Sequence, residues 1–253
     1  MQARLYAHRQ GKGETGVVFI HGNTGSSRWW EPAMNALETE FNMTAVDLRG
    51  FGRSPDGPDE VTLADHAGDV SAAADELGLR EFILVGHSLG GGVAMQFAAL
   101  FPDRLRGLVL VDSAPLGGLK GVDYGILEKS VANNWLVAGL KATMVQPVAE
   151  EYFALLASDC IRSLPAVIPN TRALEAADFT ADAPRFAKPV LVVQGEHDPL
   201  VPLAEAQKTA AAYPRAVLTV IAAAGHSPQV EQTDAFVRCL REFAAALPGG
   251  PVA

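Results

Sequence analysis

The feature that most constrains this chain is a recurring pair: a short apolar run bounded by turn residues, followed by a stretch with helical spacing. The runs are Val17 to Ile20, Met43 to Val46, Phe82 to Val85, Leu108 to Val111, Val190 to Val193 and Val217 to Ile221. Continuous runs of Val, Ile and Leu are what strands look like when both faces are buried, which is the situation of parallel strands. The helical stretches are Trp30 to Glu40, Leu63 to Leu77, Leu89 to Phe101, Leu203 to Tyr213 and Thr233 to Leu247. Strand and helix in alternation imply crossover connections, hence an α/β fold: a mostly parallel, twisted sheet with helices on both faces. Leu5 to Arg9 is a weaker candidate for an antiparallel edge strand.

The alternation fails once. From 116 to 186 no apolar run is bounded by turns, and helical patterns dominate over Ile126 to Trp135, Leu140 to Val145 and Glu150 to Leu156, with Pro147, Pro165, Pro169 and Pro184 punctuating them. The stretch begins after one core strand and ends before another, so it reads as an α-helical insertion. The expected division is a core domain over 1–115 and 187–247, an insertion over 116–186, and a disordered Pro/Gly-rich tail over 248–253.

Composition narrows the partners. The chain has 253 residues, 49% of them hydrophobic, and a net charge of −9. Acidity and the lack of a basic stripe argue against nucleic acid as a partner. No stretch approaches the ~18 consecutive apolar residues of a membrane span. The first residues contain no apolar signal-peptide core, so the expected location is the cytoplasm. Cys160 and Cys239 cannot form a disulfide framework and are expected to be free thiols.

Chemistry concentrates in four turns. Gly86-His87-Ser88-Leu89-Gly90 is a G-x-S-x-G sequence lying between a strand and a helix. Such a sharp turn strains its central residue and needs small neighbours two positions either side, here Gly86 and Gly90. It presents the Ser88 hydroxyl at the carboxyl end of the sheet and sets the Leu89 N–H at a helix N-terminus, facing a developing oxyanion. His21-Gly22-Asn23-Thr24-Gly25 follows the first central strand, and Asn23 is the expected second backbone donor; His21 is expected to shape the turn. A serine hydroxyl needs a base. Of six histidines, His226 follows the last strand on a loop at the same edge of the sheet, whereas His8, His66 and His197 sit elsewhere and His87 is expected to point away from Ser88. The acid should follow a neighbouring strand, which selects Asp198 in Gly195-Glu196-His197-Asp198-Pro199; Asp112 is the rival and Glu196 a third. No His and Asp/Glu cluster has zinc spacing, so neither metal nor cofactor is expected.

Taken in order, these blocks and Asp47-Leu48-Arg49-Gly50-Phe51-Gly52-Arg53-Ser54 resemble the α/β-hydrolase superfamily over nearly the whole chain. The resemblance implies that the 47–54 block packs beside the site without reacting, and that the insertion is a helical cap over the pocket. It also implies the Ser88, Asp198, His226 triad of an ester or lactone hydrolase acting on a small-molecule substrate. Related aspartate enzymes attack alkyl carbon and form an enzyme ester that water can cleave at its carbonyl; a serine would be left with an ether, which water does not readily release, so Ser88 implies acyl chemistry. Alternatives on the same triad are a carbon–carbon bond hydrolase, a thioesterase, a cofactor-free lyase or oxygenase, and a receptor without turnover. Arg162 and Arg172 are candidates for gripping a substrate carboxylate. Expected pocket residues are Trp29, Trp135, Met144, Tyr152 and Phe153, although Trp29 and the apolar residues of the insertion would equally serve as packing.

Overall fold

The structure, a computed structural model, describes residues 2–248. The last five positions of the expected disordered tail, 249–253, lie outside the described residues.

The strands are β1 (Tyr6–Gln10), β2 (Thr15–Ile20), β3 (Phe41–Asp47), β4 (Phe82–His87), β5 (Leu105–Val111), β6 (Val190–Gly195) and β7 (Ala216–Ile221). They form one seven-stranded sheet in the order β1-β3-β2-β4-β5-β6-β7. β1 pairs antiparallel with β3, and every other neighbouring pair is parallel. The expected edge strand and parallel core are therefore both present. Side chains alternate between the two faces: Val18, Ile20 and Leu84 face one apolar cluster, while Val17, Phe19 and Ile83 face the other. β7 departs from the expected pattern. It is an edge strand, and Val217 and Val220 are exposed.

Helices cover both faces. α2 (Leu63–Glu76), α3 (Leu89–Leu100) and α7 (Leu203–Ala212) contribute to the first cluster. α1 (Glu31–Leu37) and α9 (Thr233–Ala245) contribute to the second. α2 starts where it does because Thr62 and Asp65 form a reciprocal capping box, each side chain taking the other's backbone N–H. α9 buries Phe236, Val237, Leu240 and Ala244, which recur at helical spacing and settle on α1 and Trp30.

Between β5 and β6 lie α4 (Tyr124–Ala132), α5 (Trp135–Ala142) and α6 (Glu150–Glu175), and no strand. Two expectations about this stretch need correction. Trp135 begins a helix instead of ending one, because the chain turns at Asn134 in a left-handed conformation with φ 57°. α6 also runs 26 residues straight through Pro165 and Pro169. Each proline removes one N–H from the ladder, but the helix gains more by burying Leu156, Cys160, Val167 and Leu174. Tertiary packing overrides the local breaker. Among the described residues, no helix is long and apolar enough to cross a membrane.

The chain moves from β2 outward to β3 and then back to β4 on the other side of β2, so strand order reverses at β2 and β4. Open parallel sheets place ligands at the carboxyl ends of their strands beside such a reversal. The His21 turn and Ser88 both lie there.

Candidate active site

Ser88 follows β4 and precedes α3, with φ 52° and ψ −114°, a conformation that costs on the order of 1–3 kcal/mol for a residue with a side chain. The turn closes only because its neighbours are glycines. A Cβ on Gly86 would lie 2.2 Å from the Gly90 carbonyl oxygen, and one on Gly90 would lie 2.3 Å from that of Ile20. The Ser88 N–H donates to the Val111 carbonyl at 3.1 Å, tying the strained residue to β5. Leu89 opens α3, so its N–H has no preceding turn to accept it. The Asn23 N–H likewise finds no acceptor among the described residues.

The His21 to Gly25 turn is braced from two sides. His21 accepts the Leu48 N–H on Nε2 at 3.0 Å, which leaves the ring proton on Nδ1 to donate to the Gly22 carbonyl at 2.8 Å. The buried Asp47 carboxylate accepts from the Ser27 and Arg53 amides, at 2.5 and 2.7 Å. Asn23 Nδ2 donates to the Val167 carbonyl and Thr171 Oγ1 of α6, both at 3.2 Å. The 47–54 block thus supports the turn and stays out of the cavity.

His226 Nδ1 donates to Asp198 Oδ2 at 2.8 Å. Gln194 Nε2 donates to the same oxygen at 3.1 Å, and the Leu200 and Val201 amides donate to Oδ1 at 2.8 and 3.1 Å. Burial alone would raise the Asp198 pKa; the bond and charge of His226 and the two amides outweigh it, and the net shift is downward. Asp112, the rival acid, is fully buried behind Asp198, where its Oδ1 accepts the Gly195 N–H at 2.8 Å. Burial, then the Asp198 charge, pushes its pKa well above the usual carboxylate range. Asp112, Asp198 and His226 lie close enough together to hold a cation, but Asp198 and His226 Nδ1 are already paired with each other and Asp112 Oδ1 with the Gly195 N–H.

Ser88 and His226 border the same cavity, of about 440 Å³, whose wall is mostly apolar. Ser88 Oγ has no hydrogen-bond partner among the described residues; contacts between nucleophile and base are often loose before substrate binds. The remaining wall comes from the Gly22 to Gly25 turn, Trp29, Leu136 and Leu140 of α5, Thr143, Pro199 and Leu200.

Several expected residues lie elsewhere. Trp29 does line the cavity. Trp135 is 57% exposed, because the face of α5 turned inward carries Leu136 and Leu140. Met144 and Phe153 border a separate surface hollow beside the Lys141 to Pro147 segment. Tyr152 is spent on structure, its hydroxyl donating to the Arg28 carbonyl at 2.6 Å. Arg162 pairs with Asp56, and Arg172 lies over the Tyr124 ring, so neither guanidinium reaches the cavity. His87 does not point away: it lines the cavity, stacks on Trp29 and sits 5.0 Å from the His226 ring. A residue the sequence left unnoticed is Glu231, whose carboxylate holds the backbone around His226. A lone glutamate in a helical pattern gives no signal of such a role.

Residues 17–239 match the family described as "Alpha/beta hydrolase family". The chain is 31% identical over 246 residues to the putative carbamate hydrolase RutD of Enterobacter cloacae, covering 91% of each chain. It is 29% identical to the pimeloyl-[acyl-carrier protein] methyl ester esterase of Serratia marcescens, covering 96% of this chain and 98% of that one. Among solved structures it is similar to a thermophilic esterase from Thermogutta terrifontis, with TM-score 0.83, 26% identity, and 94% and 92% of the two chains covered. A family match over most of the chain, on a sheet of this order with a strained serine turn at its reversal, leaves one conclusion: the protein belongs to the α/β-hydrolase family.

Proposed function

We propose that the chain is a serine hydrolase that cleaves a carboxylic ester or lactone of a small hydrophobic substrate through an acyl-enzyme on Ser88. The observation that carries this reading is the opening of a strained serine and an Asp198-bound imidazole onto one apolar cavity.

Because His226 Nδ1 donates to Asp198, its Nε2 carries the lone pair and can take the Ser88 proton as Oγ attacks the carbonyl carbon. The Leu89 and Asn23 amides receive the negative charge that develops on the carbonyl oxygen. A donor of this kind typically contributes about 2.7–4 kcal/mol to the transition state. When the tetrahedral adduct collapses, the bond to the leaving oxygen breaks and His226 returns its proton to that oxygen. Water then attacks the acyl-enzyme, His226 takes the water's proton, and the acid leaves as Ser88 Oγ is reprotonated. Ionised Asp198 stabilises the imidazolium in both halves.

The cavity wall carries no Arg, Lys, Asp or Glu among the described residues, which favours neutral substrates over carboxylate-bearing ones. This weighs against the carbon–carbon hydrolase reading, in which a guanidinium grips an acid. The helical stretch 116–186 serves in this reading as a cap, with α5 forming the substrate-facing wall.

The test is release of p-nitrophenol from p-nitrophenyl butyrate by wild type and by Ser88→Ala. Wild type is expected to turn over repeatedly and the variant to remain at background. A single burst without turnover would point to a receptor, and equal rates in the two proteins would remove Ser88 from the mechanism.

A further inference from the structure

Glu231 ends the short helix α8 (Pro228–Glu231), just after His226 in sequence. Its carboxylate accepts from four backbone amides belonging to two different segments. Oε2 takes the Val145 N–H at 2.6 Å and the Gln146 N–H at 3.0 Å, both in the chain leaving α5. Oε1 takes the Ser227 N–H at 3.0 Å, and the Gly225 N–H lies 3.1 and 3.0 Å from the two oxygens. Gly225 and Ser227 are the residues on either side of His226. Hydrogen bonds to an ionised acceptor are roughly twice as strong as neutral ones, so a single side chain sets the backbone of the base.

Three further contacts close the same seam. The His226 N–H donates to the Thr143 carbonyl at 3.0 Å, and Gln146 Nε2 donates to the Ala223 carbonyl at 3.0 Å. The two segments also touch at Gly225, where a Cβ would lie 2.1 Å from the Thr143 carbonyl oxygen. Thr143 and Leu140 are cavity wall. The base and the adjoining Thr143 wall of the cavity therefore share one anchor.

We propose that Glu231 is a positioning residue that locks the insertion and the His226 loop into one arrangement, so that seating of the cavity wall and orientation of the base occur together. With Glu231 in place, substrate that packs against α5 also holds the imidazole on its line between Asp198 and Ser88. Without it, the insertion and the base loop move separately. The titratable groups that face His226 are Asp198 on Nδ1, His87 on the ring face, Asp112 behind Asp198, and Glu231 through the backbone.

The experiment compares full-length wild type, Glu231→Gln and Glu231→Ala. Gln keeps the volume and one acceptor oxygen but turns an NH2 group toward the amides, and it serves if Ala fails to fold. The first readout is the rate of Ser88 labelling by a fluorophosphonate, which rests on the acyl-transfer reading above. The second is the 1H NMR signal of the His226 Nδ1–H, and the third is hydrogen exchange at the Val145 and Gln146 amides; neither needs turnover. Labelling is expected to fall about 100-fold in the Ala variant and about 10-fold in Gln, the scale of a small misplacement of a reacting group. The imidazole signal should shift or broaden, and both amides should exchange faster. Labelling within about twofold of wild type, with an unchanged imidazole signal, would overturn the proposal whatever the stability loss, since misplacement of the base should cost far more. If wild type is not labelled at all, the acyl-transfer reading fails, and the imidazole and exchange readouts still decide the role of Glu231.

Discussion

Acid stability offers a quantitative test of how this site is built, with His87→Gln as the perturbation. His87 is buried beside His226, and its Nε2 lies 2.7 Å from the His226 carbonyl, so Nε2 carries the proton that donates to it. Burial and then the neighbouring His226 lower its pKa to about 3. Burial lowers His66 to about 4 and lowers His21 as well. Below pH 6.5 the unfolded chain binds a proton on each of these histidines that the folded chain refuses. Stability is therefore present above pH 6.5 and is lost as the pH falls toward the folded values. Asp112 opposes this: its raised pKa means that the folded chain holds a proton which the unfolded chain has released above pH 3.8. Between pH 5.5 and 4.5 the unfolded chain carries close to one proton on His87 that the folded chain does not, a slope of about 1.4 kcal/mol per pH unit from this residue alone. Against a typical total of about 5–15 kcal/mol, that is a measurable fraction. His87→Gln deletes one of these protons and should flatten the slope by about 1.4 kcal/mol per unit. Urea unfolding followed by circular dichroism at pH 5.5, 5.0 and 4.5 measures both slopes. Equal slopes in the two proteins would mean that folded His87 accepts a proton in this range, and the reasoning from burial would be refuted. The same neutrality serves the proposed chemistry, since a cationic His87 at 5.0 Å would oppose the imidazolium at His226.

Two further outcomes are expected. Asp198→Asn should lower kcat by about 10⁴, because an amide neither fixes the working tautomer nor stabilises the imidazolium; steady-state ester hydrolysis measures it, and a loss below about tenfold would mean that Asp112 takes over as the acid. Leu140→Trp should fill part of the 440 Å³ cavity, and KM for p-nitrophenyl hexanoate should rise at least about tenfold while the acetate ester is little changed. A chain-length series of esters reads this directly, and an equal effect on every ester would remove α5 from the substrate wall.

The parts of this protein legible in sequence are those dictated by local chemistry. Val17 to Ile20 and Phe82 to Val85 announce themselves because burial on both faces excludes polar residues. The serine turn is legible because only glycine fits at 86 and 90, where a Cβ would meet backbone oxygen at 2.2 and 2.3 Å. Residues whose role depends on how the insertion rotates onto the core are not legible. Trp135 and Leu136 are adjacent and both apolar, yet one is 57% exposed and the other lines the cavity. Nothing in their spacing distinguishes them, because the orientation of α5 is set by contacts distant in sequence, among them those of Glu231 with Val145 and Gln146. Pro165 and Pro169 mislead for the same reason: propensity is a local quantity, and α6 is held by the surface it buries.

The two carboxyls illustrate how environment assigns roles that sequence position leaves open. Asp112 follows β5 and Asp198 follows β6, so the two stand at the ends of neighbouring strands. Both lie within a few ångströms of His226. Two carboxyls this close cannot both ionise at low cost. Asp198 collects the His226 imidazole, the Gln194 amide and two backbone N–H groups, all of which favour its charged form. Asp112 collects one backbone N–H, and no protein donor reaches its buried Oδ2. Burial and the Asp198 charge therefore push Asp112 toward its neutral form, and the negative charge is favoured on Asp198, where an imidazolium would need it. Environments that drive a pair of titratable groups apart in pKa separate their roles, which supports Asp198 over Asp112 as the working acid.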